Sequence, residues 1–516
     1  MVTGNLAKKI GELVTELEKD YTFLPDKPKH TSVSLLDIVN NNYRFEAFAF
    51  NLEAKVAFNK VKECKYGYIN LWGNNGLVAN AFYPGRFKRI YVSKGEGYPF
   101  YLPSQLTEVY PKPTKFISEK TYNEIKGIEI ESNNLLLTRS GTIGKCSISS
   151  RTNIGKVYSD DVIRVSFHGK YDLGYVYAFV QSEIGQLILK TNNYGAVVQH
   201  IEPEHLENVV IPNAPEKIKR KVHELVVKSY DLRDQSNELI DKAEKMLYEE
   251  LQLPPIEELQ PKYFDASKDI RNYQTNLSGL NLRFDGSYHL PIVKAIEETL
   301  EKTSLKVVEI KNKGISKTIF LPGRFKRIYV DKKEFGIKFI GGKQINDLNP
   351  DSEKYLSKTI HHYRAINELI LSENTILITR SGTIGKVSIV PKHWSDWAAN
   401  EHIIRVFPTS NEIAGYLFCW LNSEYGNTLT TKHNYCSVVN EIDTNHVGDI
   451  KIPLLKNESK QKEINDLVLK ANELRYEAHL KEQEAIRIVN EDVINETKYD
   501  RNFAAEPKVK YKKPKN

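Results

Sequence analysis

Two segments of this chain occur twice, almost unchanged, and they constrain its fold more than any other feature. PGRFKRIYV stands at residues 84–92 and again at 322–330, and TRSGTIGK stands at 138–145 and again at 379–386. The second copy follows the first by 238 residues (322 − 84) in one case and by 241 (379 − 138) in the other. Matches of this length at nearly one offset predict two copies of a single folding unit.

The repeat extends well beyond these two segments. YRFEAFAFNLEAK from residue 43 aligns with LRFDGSYHLPIVK from residue 282, and DDVIRV from residue 160 aligns with EHIIRV from residue 401. YGAVVQHIEPEHLENVVIP, ending at residue 212, aligns with YCSVVNEIDTNHVGDIKIP, and a long polar stretch follows each copy. Each repeat is therefore expected to be a globular unit of roughly 170 residues plus one helix.

Within each copy, short runs rich in β-branched residues alternate with turn residues, which predicts strands. KRIYV, NLLLTR, CSIS, DVIRVSF and NVVIP are the runs of the first copy, and KRIYV, TILITR, KVSIV, HIIRVF and DIKIP are those of the second. The stretches 173–190 and 413–430 have apolar residues three and four apart, which predicts one amphipathic helix in each copy. The unit is therefore an α+β domain.

The polar stretches that follow the two copies predict long helices, since neither contains an internal glycine or proline. Each carries one apolar seam at about seven-residue spacing, for which the other helix is the expected partner. The seam residues are Ile218, Leu225, Leu232 and Leu239 in the first helix and Ile464, Leu467 and Leu474 in the second. About 38 residues at 1.5 Å each would make a strut of roughly 55 Å, or one to two turns of B-DNA.

The TRSGTIGK segments allow two interpretations. Two glycines beside a lysine could turn backbone N–H groups toward a phosphate, although the spacing is not that of a P-loop. Alternatively, the glycines supply the positive φ of a hairpin turn between two strands. In both cases the polar side chains of the turn could lie on a DNA backbone; they are Arg139, Ser140, Thr142, Lys145, Arg380, Ser381, Thr383 and Lys386.

The PGRFKRIYV segments interleave cations with aromatic residues. Strand alternation would place Arg86, Lys88 and Ile90 on one face and Phe87, Arg89 and Tyr91 on the other. Such a strand could contact phosphates or base edges, or it could be a half-buried edge strand with a solvated basic face. The candidate DNA contacts are Arg86, Lys88, Arg89, Arg324, Lys326 and Arg327.

Composition and missing motifs exclude several classes of protein. No stretch approaches the run of about 20 apolar residues that crosses a bilayer, and the first residues lack a signal-peptide core, so we expect a cytoplasmic protein. Four scattered cysteines without a Cys/His cluster predict reduced thiols and no metal site. Methyltransferase NPPY, HExxH, GxSxG, kinase and GxGxxG patterns are absent, so we expect no catalytic residues. The net charge of +7 permits a polyanionic partner.

The order of these motifs resembles one known family, the specificity (S) subunits of Type I restriction–modification systems. The resemblance rests on TRSGTIGK, the strand ending in IRV, the amphipathic stretch, the segment ending in IP and the long helix, all present twice. It covers roughly residues 43–490. The sequence departs from the family pattern at Asn134, at Gly195, which is Cys436 in the second copy, and at the openings of both long helices.

The resemblance implies an α+β fold class with a pseudo-twofold internal repeat: two homologous target recognition domains separated by two long antiparallel coiled-coil helices. The implied divisions are an N-terminal helical arm (1–30), a first target recognition domain (31–213), a first spacer helix (214–254), a linker (255–280), a second target recognition domain (281–453), a second spacer helix (454–492) and a basic, disordered tail (493–516).

The function implied by the resemblance is sequence-specific recognition of double-stranded DNA without catalysis. Each domain would read half of a bipartite, asymmetric target, and the paired helices would set the spacing between the two halves. One chain per complex and no membrane partner are expected. Two methyltransferase subunits would bind the helices, and a motor-nuclease subunit would join them. S-adenosylmethionine, ATP and magnesium would belong to those partners. The competing interpretations are an architectural or RNA-binding protein, which would protect no specific duplex sequence, and a self-contained methyltransferase or nuclease, which would be active alone.

Overall fold

The computed structural model describes residues 32–40, 43, 50–125, 127–191, 200–259, 274–280, 282–330, 333–347, 349–350, 354–435 and 439–495. The predicted N-terminal arm, most of the linker, nearly all of the basic tail and Cys436 lie outside these residues. Within the described ranges the two repeats fold as similar units, here called unit 1 and unit 2, which share a pair of long helices.

Unit 1 and the helices that flank it contain ten strands and seven α-helices among the described residues. In chain order these are α1 (Leu35–Asn40), α2 (Leu52–Glu63), β1 (Tyr68–Asn70), β2 (Val78–Phe82), β3 (Tyr91–Val92), β4 (Tyr98–Tyr101), β5 (Lys115–Ile117), α3 (Glu119–Asn123), β6 (Leu135–Thr138), β7 (Cys146–Ile148), β8 (Val157–Tyr158), β9 (Val162–Phe167), α4 (Asp172–Gln181), α5 (Glu183–Thr191), β10 (Val210–Pro212), the long helix α6 (Glu216–Glu250) and α7 (Ile256–Leu259).

Unit 2 repeats this order and ends in the second long helix. Its elements are α8 (Pro291–Thr303), β11 (Lys306–Glu309), β12 (Ser316–Phe320), β13 (Tyr329–Val330), β14 (Gly336–Ile340), β15 (Tyr355–Ser357), α9 (His362–Arg364), β16 (Ile376–Thr379), β17 (Val387–Ile389), β18 (Ala398–Ala399), β19 (Ile403–Pro408), α10 (Asn411–Asn422), α11 (Glu424–Thr431), α12 (Thr444–Gly448), β20 (Lys451–Leu454) and α13 (Glu458–Arg487). A π-helical turn, Ile488–Ile494, continues α13.

The sheets of the two units have the same topology. A central antiparallel sheet has the order β2-β9-β6-β7 in unit 1 and β12-β19-β16-β17 in unit 2. A smaller outer sheet has the order β3-β5-β4-β8 and β13-β15-β14-β18, with one parallel pair in each. The first strand of each central sheet even carries a bulge at the matching place. The predicted α+β fold and its internal repeat are therefore confirmed.

The amphipathic stretch of each unit was wrongly predicted as one helix. It forms two helices in each unit, because the chain turns at Ser182 in unit 1 and at Ser423 in unit 2. Ser182 Oγ donates to Phe179 O (2.6 Å) and accepts from Gly185 N (3.0 Å), so it closes one helix and opens the next. Apolar periodicity alone continues across such a break, which is why the pattern did not reveal it.

The two long helices, α6 and α13, run antiparallel and contact one another along their middles, as the fold class required. The contact is apolar around Leu232, Leu239, Leu474 and Ala478. Three of these residues belong to the predicted seam. The remaining seam residues lie elsewhere: Ile218 and Leu225 pack on the core of unit 1, and Ile464 and Leu467 pack on that of unit 2.

The far halves of the two helices are exchanged between the units. Ile240, Ala243 and Leu247 of α6 lie in the core of unit 2, whereas Ala485 and Val489, at the end of α13 and in the π-helical turn, lie in that of unit 1. The expectation of a strut whose apolar face contacts only the other helix is thus corrected. Each helix packs on both units, so the pair is built into both cores rather than projecting between them.

The contact of each unit with its own long helix is close enough to require glycine. A Cβ on Gly174 of α4 would lie 2.6 Å from His223 Cα, and one on Gly415 of α10 would lie 2.3 Å from Asn465 O. Both glycine N–H groups donate across this contact, to His223 Nδ1 (3.2 Å) and to Asn465 Oδ1 (2.8 Å). A larger residue at either position would push the unit off its helix.

The end of the second helix also differs from the predicted boundary. Val493 and Ile494 were assigned to a disordered tail beginning at residue 493, but both are buried in the core of unit 1. Their burial extends the ordered chain past the predicted end of the helix. None of the helices in the described ranges combines the length and apolar character needed to cross a membrane.

Candidate nucleic-acid interface

The basic segment of unit 1 has the alternation that its sequence predicts. Only Tyr91–Val92 of the segment pairs as a strand. Before it, Arg86 and Lys88 are exposed, whereas Phe87 turns inward and meets Phe100 edge to face, with ring centroids 6.4 Å apart. In unit 2, Phe325 and Phe339 form the same contact at 6.4 Å, so the aromatic residues fasten the segment and the cations face outward.

The third cation of each basic segment is engaged inside its own unit. Arg89 forms an ion pair with Asp160, and Arg327 forms the matching pair with Glu401. Burial alone would lower the pKa of Arg89, but the hydrogen bond and charge of Asp160 outweigh it and hold the pKa above its ordinary value. Arg89 and Arg327 therefore anchor the segment to its own unit, and their contact with DNA stays a prediction.

Two cations per unit remain available to a polyanion. Arg86 and Lys88 in unit 1 and Arg324 and Lys326 in unit 2 are exposed. None of the four has an ion-pair partner within the part of the chain that the structure describes. Exposed cations without a protein partner are free to replace the counterions of a phosphate backbone.

The TRSGTIGK segments are hairpin turns. The segment of unit 1 joins the antiparallel strands β6 and β7, and that of unit 2 joins β16 and β17. Gly141 and Gly144 have φ of 77° and 78°, a backbone conformation that favours glycine. Thr138 Oγ1 closes the turn by donating to Thr142 O (2.6 Å). The turn interpretation is therefore the one that the geometry supports, and the exposed side chains at its tip are Thr142 and Thr383.

The arginine of each turn forms an ion pair within its own unit. Arg139 is 6% exposed, forms an ion pair with Glu202, and lies over the Tyr83 ring with 4.3 Å between guanidinium carbon and centroid. In unit 2, Arg380 pairs with Glu441 at 2.9 Å. These two arginines tie the turn to the segment before the last strand of the unit, and their contact with a DNA backbone stays a prediction.

The lysine of each turn points to the other unit. Lys145 Nζ lies 3.0 Å from Asp347 Oδ2, and Lys386 Nζ lies 2.9 Å from Glu108 Oε1. Both lysines are thus ion-paired between the units, and their contact with DNA stays a prediction. The neighbouring serines are partly buried, and Ser381 Oγ lies 2.8 Å from His402 Nδ1.

One pair of buried charged residues that hold each unit together was missed from the sequence. Arg164 and Arg405, the arginines of the two IRV strands, are 1% exposed. Arg164 donates to Ile128 O (3.0 Å) and Tyr158 O (3.3 Å), and burial lowers its pKa to about 10. The guanidinium thereby joins the central sheet to the chain around β8 in the outer sheet. Repetition of an arginine within an otherwise apolar strand was the available signal.

The structure offers no metal centre in its described residues, because no group of three His, Cys, Asp or Glu side chains is placed to hold an ion. Asp160 pairs with Arg89, and His361 Nε2 accepts from Ile328 N (3.0 Å), so both have structural roles. Cys64, Cys146 and Cys419 are buried.

Comparison with known proteins identifies the second repeat. Residues 306–483 match the family model of the Type I restriction modification DNA specificity domain. This match contains the second TRSGTIGK turn, the IRV strand and most of α13, the motifs on which the resemblance was based. The predicted resemblance to Type I specificity subunits is thereby confirmed.

Solved specificity subunits are similar to most of the chain at low identity. The Type I S subunit from M. genitalium is 12% identical, with 83% of this chain and 98% of that chain covered and a TM-score of 0.30. The HsdS subunit from Thermoanaerobacter tengcongensis has the same identity and coverage, with a TM-score of 0.25. A chain from a structure on complex assembly of the type I R-M system is 11% identical, with 81% and 99% covered and a TM-score of 0.24. No curated protein matches the chain.

Proposed function

We propose that the chain reads a bipartite, asymmetric DNA target, with one half-site bound by each unit. The observation that carries this proposal is the pair of exposed, unpartnered cations that each specificity unit presents at the same place, Arg86 with Lys88 and Arg324 with Lys326. Lysine and arginine contacts to phosphate position a protein on the duplex, and other side chains then read the bases.

The two half-sites are expected to differ, because the units differ where they flank the basic segments. The stretches 93–131 and 331–371 match poorly between the copies and contain most of the outer sheets. In unit 2 this stretch exposes Tyr363 and Ile366 (78% and 61%), whereas in unit 1 the Tyr122 ring stacks on Tyr98 at 3.8 Å. We infer that base preference lies in these stretches and phosphate contact in the repeated ones.

The partners in this proposal are double-stranded DNA, two methyltransferase subunits on the outer faces of α6 and α13, and a motor-nuclease subunit, with one copy of this chain per complex. Support comes from the specificity-domain family of the second repeat. S-adenosylmethionine, ATP and magnesium would be held by those partners. This chain would determine which DNA sequence the methyltransferase subunits modify.

Deleting the gene tests the proposal directly. We expect one bipartite methylated motif to disappear from the host genome, because the methyltransferase subunits are no longer directed to their target sequence. Single-molecule sequencing of methylated bases, with and without the gene and after its return on a plasmid, reads both half-sites and the spacer. An unchanged set of methylated motifs, in a host where the partner subunits are expressed, would contradict the proposal.

Replacing Arg86 and Lys88 together with alanine is expected to weaken binding to all duplex sequences. The slope of log Kd against log salt should fall by about one for each phosphate that the variant no longer neutralises, so by about two in all. Filter binding from low to moderate salt measures the slope. The matched control is Lys294→Ala with Lys302→Ala, two exposed cations on α8. Equal slopes for both variants would remove Arg86 and Lys88 from the phosphate contacts.

A further inference from the structure

The two units touch one another directly through a pair of equivalent loops. We call residues 105–111 of unit 1 and 344–347 of unit 2 the crossing loops. Glu108 and Asp347 form an antiparallel β-bridge, and Val109 N donates to Asn346 O at 2.7 Å. The repeat places these acids at equivalent positions, since 108 + 239 = 347. The contact therefore lies on the pseudo-twofold axis that relates the units.

Two reciprocal ion pairs reinforce the crossing loops. The turn lysine of unit 1, Lys145, reaches Asp347 of unit 2, and the turn lysine of unit 2, Lys386, reaches Glu108 of unit 1 (3.0 and 2.9 Å). Asp347 is buried and also accepts from Thr107 Oγ1 (3.4 Å). Each unit thus contributes one acid and one lysine, and the same contact is made twice.

The chain after the first crossing loop continues onto unit 2. Tyr110 packs against the core that contains the end of α6 and donates to Asp241. Lys112 Nζ donates to Asn422 O at 2.8 Å. At a separate place, Lys94 of unit 1 pairs with Glu424 of unit 2. The units are therefore joined by direct contacts as well as by the helices.

We propose that the crossing loops, with Lys145 and Lys386, determine the number of base pairs between the two half-sites. This inference rests on the proposed function. Adding one base pair moves a half-site by about 3.4 Å and rotates it by about 34° around the duplex. Helices that hold both units fix their separation. A second, direct connection at the crossing loops also resists rotation of one unit relative to the other, and so selects one spacer length.

The test uses the full chain with its methyltransferase partners and the half-sites found by genome sequencing. Duplexes carry the native spacer or one that is one base pair longer or shorter. The test variant is Lys145→Met with Lys386→Met. The matched control is Lys294→Met with Lys311→Met, two exposed lysines of unit 2 that pair with acids of their own unit and lie on neither long helix. The measured quantity is the ratio of Kd values for altered and native spacers.

The test variant is expected to lose at least about tenfold of its preference for the native spacer, with unchanged half-site bases, whereas the control keeps the preference. Should the variant not fold, Glu108→Gln with Asp347→Asn removes the same ion pairs from the acid side. A charge exchange, Lys145→Asp with Asp347→Lys, restores one pair and is expected to keep more of the preference than Lys145→Asp alone. An unchanged spacer ratio in a folded test variant, or an exchange no better than the single change, overturns the inference. If the wild-type complex itself recognises no bipartite motif, the proposed function has failed instead.

Discussion

Glu482→Ala is expected to lower the free energy of unfolding by about 3–5 kcal/mol, because it leaves a buried arginine without a counter-charge. Glu482 lies on α13 and is fully buried, and Arg233 of α6 donates to it at 2.7 Å. Asn349 Nδ2 of unit 2 donates at 2.7 Å, and the Tyr177 hydroxyl of unit 1 also donates. One carboxylate thus joins both long helices and both units, so its loss should loosen all four.

Denaturant unfolding at pH 7, followed by circular dichroism, measures this effect. Burial alone would raise the pKa of Glu482, but Arg233 and the hydrogen bonds hold it below its ordinary value. The stabilisation is therefore complete above the unfolded-state pKa of about 4.3 and is lost as the pH falls through the lowered value.

Two further variants separate the charge effect from simple truncation of Glu482. Arg233→Met with Glu482→Met removes both charges and should cost less than Glu482→Ala. Glu473→Ala, at an exposed pair with Lys470, is the control and should cost less than about 0.5 kcal/mol. A loss for Glu482→Ala as small as that of the control would show that the buried pair does not hold the helices together.

Most of the architecture was predictable because the chain contains two copies of one unit, which can be aligned with each other. Positions that match in the two copies indicate residues that the fold requires, and positions that differ indicate residues that it does not. The strands around TRSGTIGK and IRV and the long helices could therefore be assigned from one sequence. The residues that cover each apolar stripe could not be assigned in this way. Leu232 and Ile240 both lie on α6. Leu232 contacts α13, whereas Ile240 lies in the core of unit 2. Periodicity identifies an apolar face but carries no information on what covers it.

The candidate site was predicted less well, because repeated cations were all considered DNA contacts. Arg139 and Lys145 are as well repeated as Lys88, but their charges are satisfied inside the protein, by Glu202 and Asp347. A usable signal was present in the acids. Glu108 with Asp347 and Asp160 with Glu401 recur at offsets of 239 and 241, close to those of the lysines and arginines with which they pair. A cation that recurs together with an acid predicts an internal ion pair, whereas Arg86 and Lys88 remain unpaired.

Acidification is expected to destabilise the protein through a stacked histidine pair between unit 2 and α13. The rings of His393 and His479 stack with centroids 4.0 Å apart, and His393 also stacks near Tyr476 at 6.1 Å. Burial, together with the charges of Arg233 and Lys338, lowers the pKa of both histidines. The charge of His479 lowers the pKa of His393 further, whereas Glu482 opposes the shift of His479. The native pair therefore stays neutral while the same residues of the unfolded chain take up protons below about pH 6.5.

The free energy of unfolding should consequently fall with decreasing pH from about 6.5, by up to about 2.7 kcal/mol per pH unit for the two histidines together. Replacing both with phenylalanine keeps the aromatic stack and removes the two protons, so the pH dependence should flatten by that amount. His362→Phe, at an exposed position, should leave it unchanged. Denaturant unfolding at pH 7, 6 and 5 measures how the free energy of unfolding depends on pH in the wild type, the double variant and His362→Phe. An equal pH dependence for the wild type and the double variant would mean that the two histidines take up protons in the native state as they do in the unfolded chain. The junction of unit 2 with α13 would then accept a positive charge, although burial and the nearby charges of Arg233 and Lys338 should exclude it.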